Sequence, residues 1–102
     1  MFTVLYRWKI KPELETQFIE SWSEVTALYR KCPGAYGSRL HRDNDGLFWA
    51  YAQWDSDADR QAAFREPPLT PARERMAEAI AARFDEIVLD IVSDHLAIQD
   101  KE

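Results

Sequence analysis

Cysteine is nearly absent: Cys32 is the only one in 102 residues. No internal disulfide can form, and this usage fits a reducing compartment. The two histidines, His41 and His95, lie far apart, and neither has another histidine or a cysteine at ligand spacing, which argues against a structural zinc site. Glycine-rich phosphate loops and the usual hydrolase signatures are missing as well: there is no GxGxxG, GxxxxGK[ST], HExxH or GxSxG. No apolar run approaches the roughly 20 residues of a membrane span. The opening MFTVLYRWK has no apolar core behind a basic segment, so no signal peptide is expected and the expected address is the cytoplasm. Positive charge is in deficit, with 13 basic residues against 18 acidic and a formal charge of −5. Nucleic acid and anionic membrane would repel such a chain at long range, which excludes both as main partners. The length fits one domain, expected over residues 1–98, with a frayed polar tail at 99–102.

Aromatic side chains are plentiful. They make up 13% of the chain and include four tryptophans, many for the core of so small a domain. Two readings follow: an aromatic-rich core alone, or a core plus a pocket or subunit interface walled by the surplus.

Residues 2–10 alternate, with Phe2, Val4, Tyr6, Trp8 and Ile10 on one face and Thr3, Leu5, Arg7 and Lys9 on the other, which predicts a strand. Lys11-Pro12-Glu13 opens a helix, with Leu14, Phe18, Trp22, Val25, Tyr29 and Cys32 as its apolar stripe. Pro33-Gly34 ends it. Residues 35–42 and 47–54 flank Asp43-Asn44-Asp45-Gly46, a hairpin turn signal. If Arg42 pairs with Leu47, then His41 opposes Phe48, Arg39 opposes Ala50, Gly37 opposes Ala52 and Ala35 opposes Trp54, all on one face. The other face then carries Tyr36, Ser38, Leu40, Trp49, Tyr51 and Gln53. Ser56-Asp57-Ala58-Asp59 resembles a capping box with Asp in place of Glu, opening a helix that stops by Pro67-Pro68. Thr70-Pro71 opens another, with Met76, Ile80 and Phe84 as its stripe. The β-branched segment 86–98 is expected to be the last strand.

The order β-α-β-β-α-β, with the second helix broken by prolines, predicts an α+β fold of the ferredoxin-like type with a four-stranded antiparallel sheet. Helices cover one face. Nothing remains to cover the other, which carries large apolar residues, so a symmetric homodimer packed sheet to sheet is the expected remedy. That topology, the K-P-E after the first strand, the P-G at 33–34 and an aromatic-rich third strand ending in Trp54-Asp55-Ser56 resemble the antibiotic biosynthesis monooxygenase family of the dimeric α+β barrel superfamily, over roughly residues 2–98. The resemblance implies a homodimer with a pocket between sheet and helices in each subunit. It also implies, for some members, oxidation of phenols or hydroquinones to quinones by O₂ with no cofactor. A heme-degrading branch uses an Asn on the first strand and a Trp and a His in the second helical region. Those positions read Leu5, Phe64 and Arg73 here, so heme degradation is not expected.

Oxidation of an electron-rich aromatic by O₂ needs a dry slot, a base and a positive charge near the developing anion. The hairpin face with Gly37, Arg39, His41, Ala50, Ala52 and Trp54 has that character. His41 is the candidate base, with an unperturbed pKa near 6.5, and otherwise a solvated residue near the turn. Arg39 is the candidate phenolate partner, and otherwise pairs with an acidic neighbour. Arg7, Trp54 and Phe64 are candidate substrate contacts, with Trp54 equally readable as a core plug and Arg7 as an interface residue. Tyr36, Trp49 and Tyr51 are either core or interface residues, or they replace Arg39 and His41 if their face meets the pocket. Cys32 and His95 are read as structural. The substrate is expected to be a small aromatic molecule. Two alternatives stand beside the oxygenase: a dimer that binds a hydrophobic ligand without turnover, and a lyase or isomerase with His41 as its proton-transfer base.

Overall fold

The computed structural model describes residues 1–97; the tail expected at 99–102 lies outside them. The elements run β1 (Phe2–Ile10), a 3-10 turn (Pro12–Leu14), α1 (Glu15–Tyr29), β2 (Ala35–Arg42), β3 (Phe48–Trp54), α2 (Asp57–Arg65), α3 (Pro71–Ala79), β4 (Ile80–Arg83) and β5 (Ile87–Asp90). The fold is α+β and ferredoxin-like, with β2, β3 and β1 in that order and both β4 and β5 pairing antiparallel with the same edge of β1. The sheet therefore has five strands, one more than expected. The fourth position is divided in two: β4 pairs with Trp8–Ile10 and β5 with Phe2–Leu5. Phe84–Glu86 bridge the two, and the Phe84 amide donates to the Arg7 carbonyl at 3.3 Å.

Alternation in β1 holds as read: Val4, Trp8 and Ile10 are buried against the helices. α1 turns Phe18, Ser21 and Val25 onto that face, and Ser21 spends its hydroxyl on the Gln17 carbonyl at 2.7 Å. Phe18 is fully buried and meets Trp8 and Phe48 edge-on, with ring centres 5.3 and 5.4 Å apart. Ile10, Ala50 and Ala79 complete this core. Gly34 makes the exit from α1 at φ +79°, and its carbonyl accepts from the Asp55 amide. A Cβ there would stand 2.4 Å from the Asp59 carboxylate, so both conformation and space demand glycine. Ser56 caps α2: its hydroxyl accepts from the Asp59 amide at 3.2 Å and donates to the Asp59 carboxylate at 3.1 Å.

Three expectations are corrected. The helix after Thr70-Pro71 stops at Ala79, so Ile80 and Phe84 leave its stripe; Ile80 opens β4 directly and packs on the core from the sheet. The last strand is Ile87–Asp90 instead of 86–98. The hairpin register differs by one residue over most of its length. Asp43 Oδ1 accepts from the Asp45 and Leu47 amides, and Oδ2 accepts from the Trp49 indole at 2.8 Å. The turn thereby absorbs Leu47, and Arg42 pairs with Phe48, His41 with Trp49, Leu40 with Ala50, Arg39 with Tyr51 and Ser38 with Ala52. A bulge at Tyr36, with Gly37 at φ +105°, restores the expected pairing of Ala35 with Trp54. A one-residue shift moves side chains to the opposite face. Phe48, Ala50, Ala52 and Trp54 therefore face the helices, while Arg39, His41, Trp49 and Tyr51 share the open face with Leu5.

Phe18→Ala should destabilise the chain by about 3–5 kcal/mol, read from urea unfolding midpoints. The Trp49 indole, ahead of the turn amides and against partial desolvation, holds the Asp43 carboxyl below its ordinary value. Because the folded value is the lower one, this stabilisation is complete above the unfolded carboxyl's pKa and is lost as pH falls through the folded one. Trp49→Phe should raise the Asp43 pKa toward the ordinary value. Carboxyl-detected NMR titration of both chains checks this.

Candidate functional site

Small residues on the inner sheet face leave room. Ala50 and Ala52 are buried, and Gly37 and Ser38 lie beside them on β2. Opposite stands the aromatic side of α1. Between them lies a cavity of about 690 Å³. Tyr6, Trp8, Trp22, Tyr29, Trp54 and Phe64 wall it. Tyr6 and Trp8 stack at 5.9 Å, and Phe64 stands edge-on to Tyr29 and Trp54 at 5.2 and 6.2 Å. These rings offer flat apolar surface to a planar ligand.

The charged lining is mostly positive. Arg7, Arg30, Arg73 and Arg83 contribute to it, against Glu74 and Glu86. Glu86 is already engaged by Arg60. Cations thus collect around this cavity in a chain whose overall charge is −5. Arg7 points to the open face by register, yet reaches the lining at the break between β4 and β5, where Arg83, Phe84 and Glu86 also line the cavity. Its guanidinium lies between the Trp49 and Phe84 rings, 5.4 and 5.3 Å from their centres. Its Nε is buried without a hydrogen-bond partner among the described residues.

One buried polar chain meets the cavity wall. Arg60 on α2 is 8% exposed. Its Nε donates to the Tyr6 hydroxyl oxygen at 3.0 Å, Nη1 to Asp57 at 3.3 Å, and Nη2 to Glu86. The guanidinium also lies over Phe64 at 5.1 Å, Tyr6 at 5.8 Å and Phe2 at 6.0 Å. Burial raises the Tyr6 pKa above the ordinary tyrosine value; the Arg60 hydrogen bond and charge oppose the rise without cancelling it. Tyr6 is therefore a neutral phenol at the cavity wall. Sequence reading passed over this group. Arg60 carries no local signal beyond a charge on a short helix, and only Tyr6's place in the β1 alternation points inward.

Of the residues anticipated as site residues, the fold brings Arg7, Trp54 and Phe64 to this cavity. Arg39, His41, Trp49 and Tyr51 are not there. They line a separate groove of about 500 Å³ on the open face, with Leu5, Arg42, Asp43 and Leu96. The register set by the turn is the reason. Tyr36, in the bulge, is 51% exposed and donates to Asp55 at 2.6 Å. It belongs to neither place. Ile87 and Leu89 extend the apolar part of the open face, at 37% and 42% exposure. No helix among the described residues is long and apolar enough to cross a membrane.

Comparison with known proteins agrees with this architecture. The family model for antibiotic biosynthesis monooxygenase matches residues 1–75. The tetracenomycin-F1 monooxygenase of Streptomyces glaucescens is 33% identical over 73 residues, which is 70% of this chain and 65% of that protein. The match thus spans just under two thirds of the relative's length. A cofactor-independent oxygenase from Streptomyces nogalater superposes with a TM-score of 0.77 at 15% identity, over 91% of this chain and 94% of its own. A Chloroflexus aurantiacus protein described by the same family name superposes at 0.75 with 19% identity, over 92% and 95%. With the family model covering most of its length, this chain belongs to the antibiotic biosynthesis monooxygenase family.

Proposed function

We propose that the protein is a cofactor-independent monooxygenase that oxidises an electron-rich phenol or quinol with O₂ in the cavity between sheet and helices. The observation that carries this reading is an aromatic-walled cavity of about 690 Å³ with a cationic lining, in a chain of this family. The lining cations favour the ionised phenol, and the aromatic walls keep it dry. The phenolate then reduces O₂ with its own electrons. One oxygen atom replaces the hydrogen of a ring carbon and becomes the second quinone carbonyl, the other leaves as water with that hydrogen and the proton the phenol gave up, and no external reductant is consumed. Trp54 and Phe64 contact the ring in this reading, and Arg7, Arg73 and Arg83 stand by the anion.

The exposed apolar residues of the open face, Leu89 and Ile87 beside Leu5 and Trp49, support a homodimer through that face. A second reading is favoured by the open-face groove itself. Arg39 and His41 beside Trp49 and Tyr51 suit an aromatic anion held without turnover.

Oxygen uptake separates the two. With 1-naphthol or anthrone, the chain should consume O₂ above the uncatalysed rate. Ala52→Leu, which fills the cavity, should lower kcat/KM on the order of tenfold or more with the circular dichroism spectrum unchanged. Saturable binding without uptake, insensitive to Ala52→Leu and weakened by Arg39→Ala or His41→Ala, would replace the first reading by the second.

A further inference from the structure

One hydroxyl of the cavity wall accepts from a buried guanidinium and donates to no described residue. Tyr6 accepts from Arg60 Nε at 3.0 Å, and a guanidinium has no acceptor to offer in return. Among the described residues the Tyr6 hydroxyl donates to none, and Tyr6 lines the cavity. Its oxygen is held at one lone pair, so the hydrogen must swing to the side away from Arg60.

Arg60 cannot easily release that oxygen. Its remaining fork is held by Asp57 and Glu86, and its flat face is covered by Phe64. A donor that is itself accepting from a cation is polarised and donates more strongly. Three elements converge to build this arrangement: β1 brings Tyr6, α2 brings Arg60 and Asp57, and the segment between β4 and β5 brings Glu86. The Tyr6 hydroxyl satisfies the buried Arg60 Nε, but its own hydrogen serves no described partner. Phe in place of Tyr6 would fill the same space, and a buried ion pair is weak evidence for stability.

We propose that Tyr6 donates the hydrogen bond that binds the anionic oxygen of a phenolic ligand, and that Arg60 is the positioning residue that turns the Tyr6 hydrogen into the cavity. This assignment deepens the oxygenase reading of the cavity, but its test does not need turnover.

The test uses 4-nitrophenol and 4-nitro-1-naphthol, whose phenolates are coloured, and reads the apparent pKa of the bound probe by absorbance. Bound to the native chain, the probe should ionise at lower pH than free, by about one unit, a tenfold shift in its ionisation equilibrium. Tyr6→Phe should remove at least half of that shift and weaken phenolate binding severalfold. Arg60→Lys keeps the charge beside Glu86 but loses the Nε geometry. It should lower the shift in the native background and change nothing further when combined with Tyr6→Phe, because it acts through Tyr6. A bound-probe pKa unmoved by Tyr6→Phe overturns the proposal. So does an Arg60→Lys effect that persists in full alongside Tyr6→Phe, or failure of both probes to bind the native chain. Oxygen uptake with 1-naphthol is measured in parallel. Uptake above the uncatalysed rate together with a bound-probe pKa unmoved by Tyr6→Phe removes the donor and leaves the oxygenase. The full probe pattern with no uptake for any chain removes the oxygenase and leaves the donor.

Discussion

The carboxylate of Asp43 decides which side chains of β2 face the cavity and which face away from it. It collects two backbone amides of its own turn and the indole of Trp49. Those bonds lengthen the turn through Leu47 and fix Arg42 opposite Phe48. Parity along a strand is absolute, so that choice puts Arg39 and His41 on the face of Trp49 and Tyr51, away from Phe48, Ala50, Ala52 and Trp54. The bulge at Tyr36 undoes the shift before the strand ends, which keeps Ala35 and Trp54 paired and lets Gly37 lie against the Arg30 side chain.

The cavity follows from a contrast in side-chain size. Alanine, glycine and serine floor it, while tryptophan, tyrosine and phenylalanine stand around it. A sheet of uniformly large residues would have closed the gap. Membership of the antibiotic biosynthesis monooxygenase family places the chain among proteins of this architecture.

Much of the architecture was legible in the residues. The alternation of β1, Phe18 and Val25 on the buried side of α1, and the Ser56 cap each follow a local rule and are found where that rule puts them, whereas Leu14 falls in the 3-10 turn and Cys32 lies past the end of α1. The small residues of the hairpin did announce an open space. What could not be read locally was parity. Counting back from the turn gave a pairing wrong by one, because the carboxylate of Asp43 binds beyond the turn's own four residues. Arg39 and His41 changed faces as a result. Ile80 and Phe84 were misplaced for a related reason: their spacing continues a helix, but pairing with β1 wins once Ala79 has been passed. The Arg60–Tyr6–Glu86 chain joins residues 54 and 26 positions apart. No window of sequence contains it.

The divided edge of β1 has a consequence of its own. β5 is four residues long and every one of them is exposed, so backbone bonds to β1 do most of the work of holding it in place. Glu86 is its immediate neighbour in the chain. If β5 peels from the edge, Arg60 loses one of its two carboxylate partners and the cavity loses Glu86 from its wall in the same event. The wall of the cavity and the electrostatic setting of its interior thus share one residue, Glu86, which sits beside a strand with no buried side chain to anchor it.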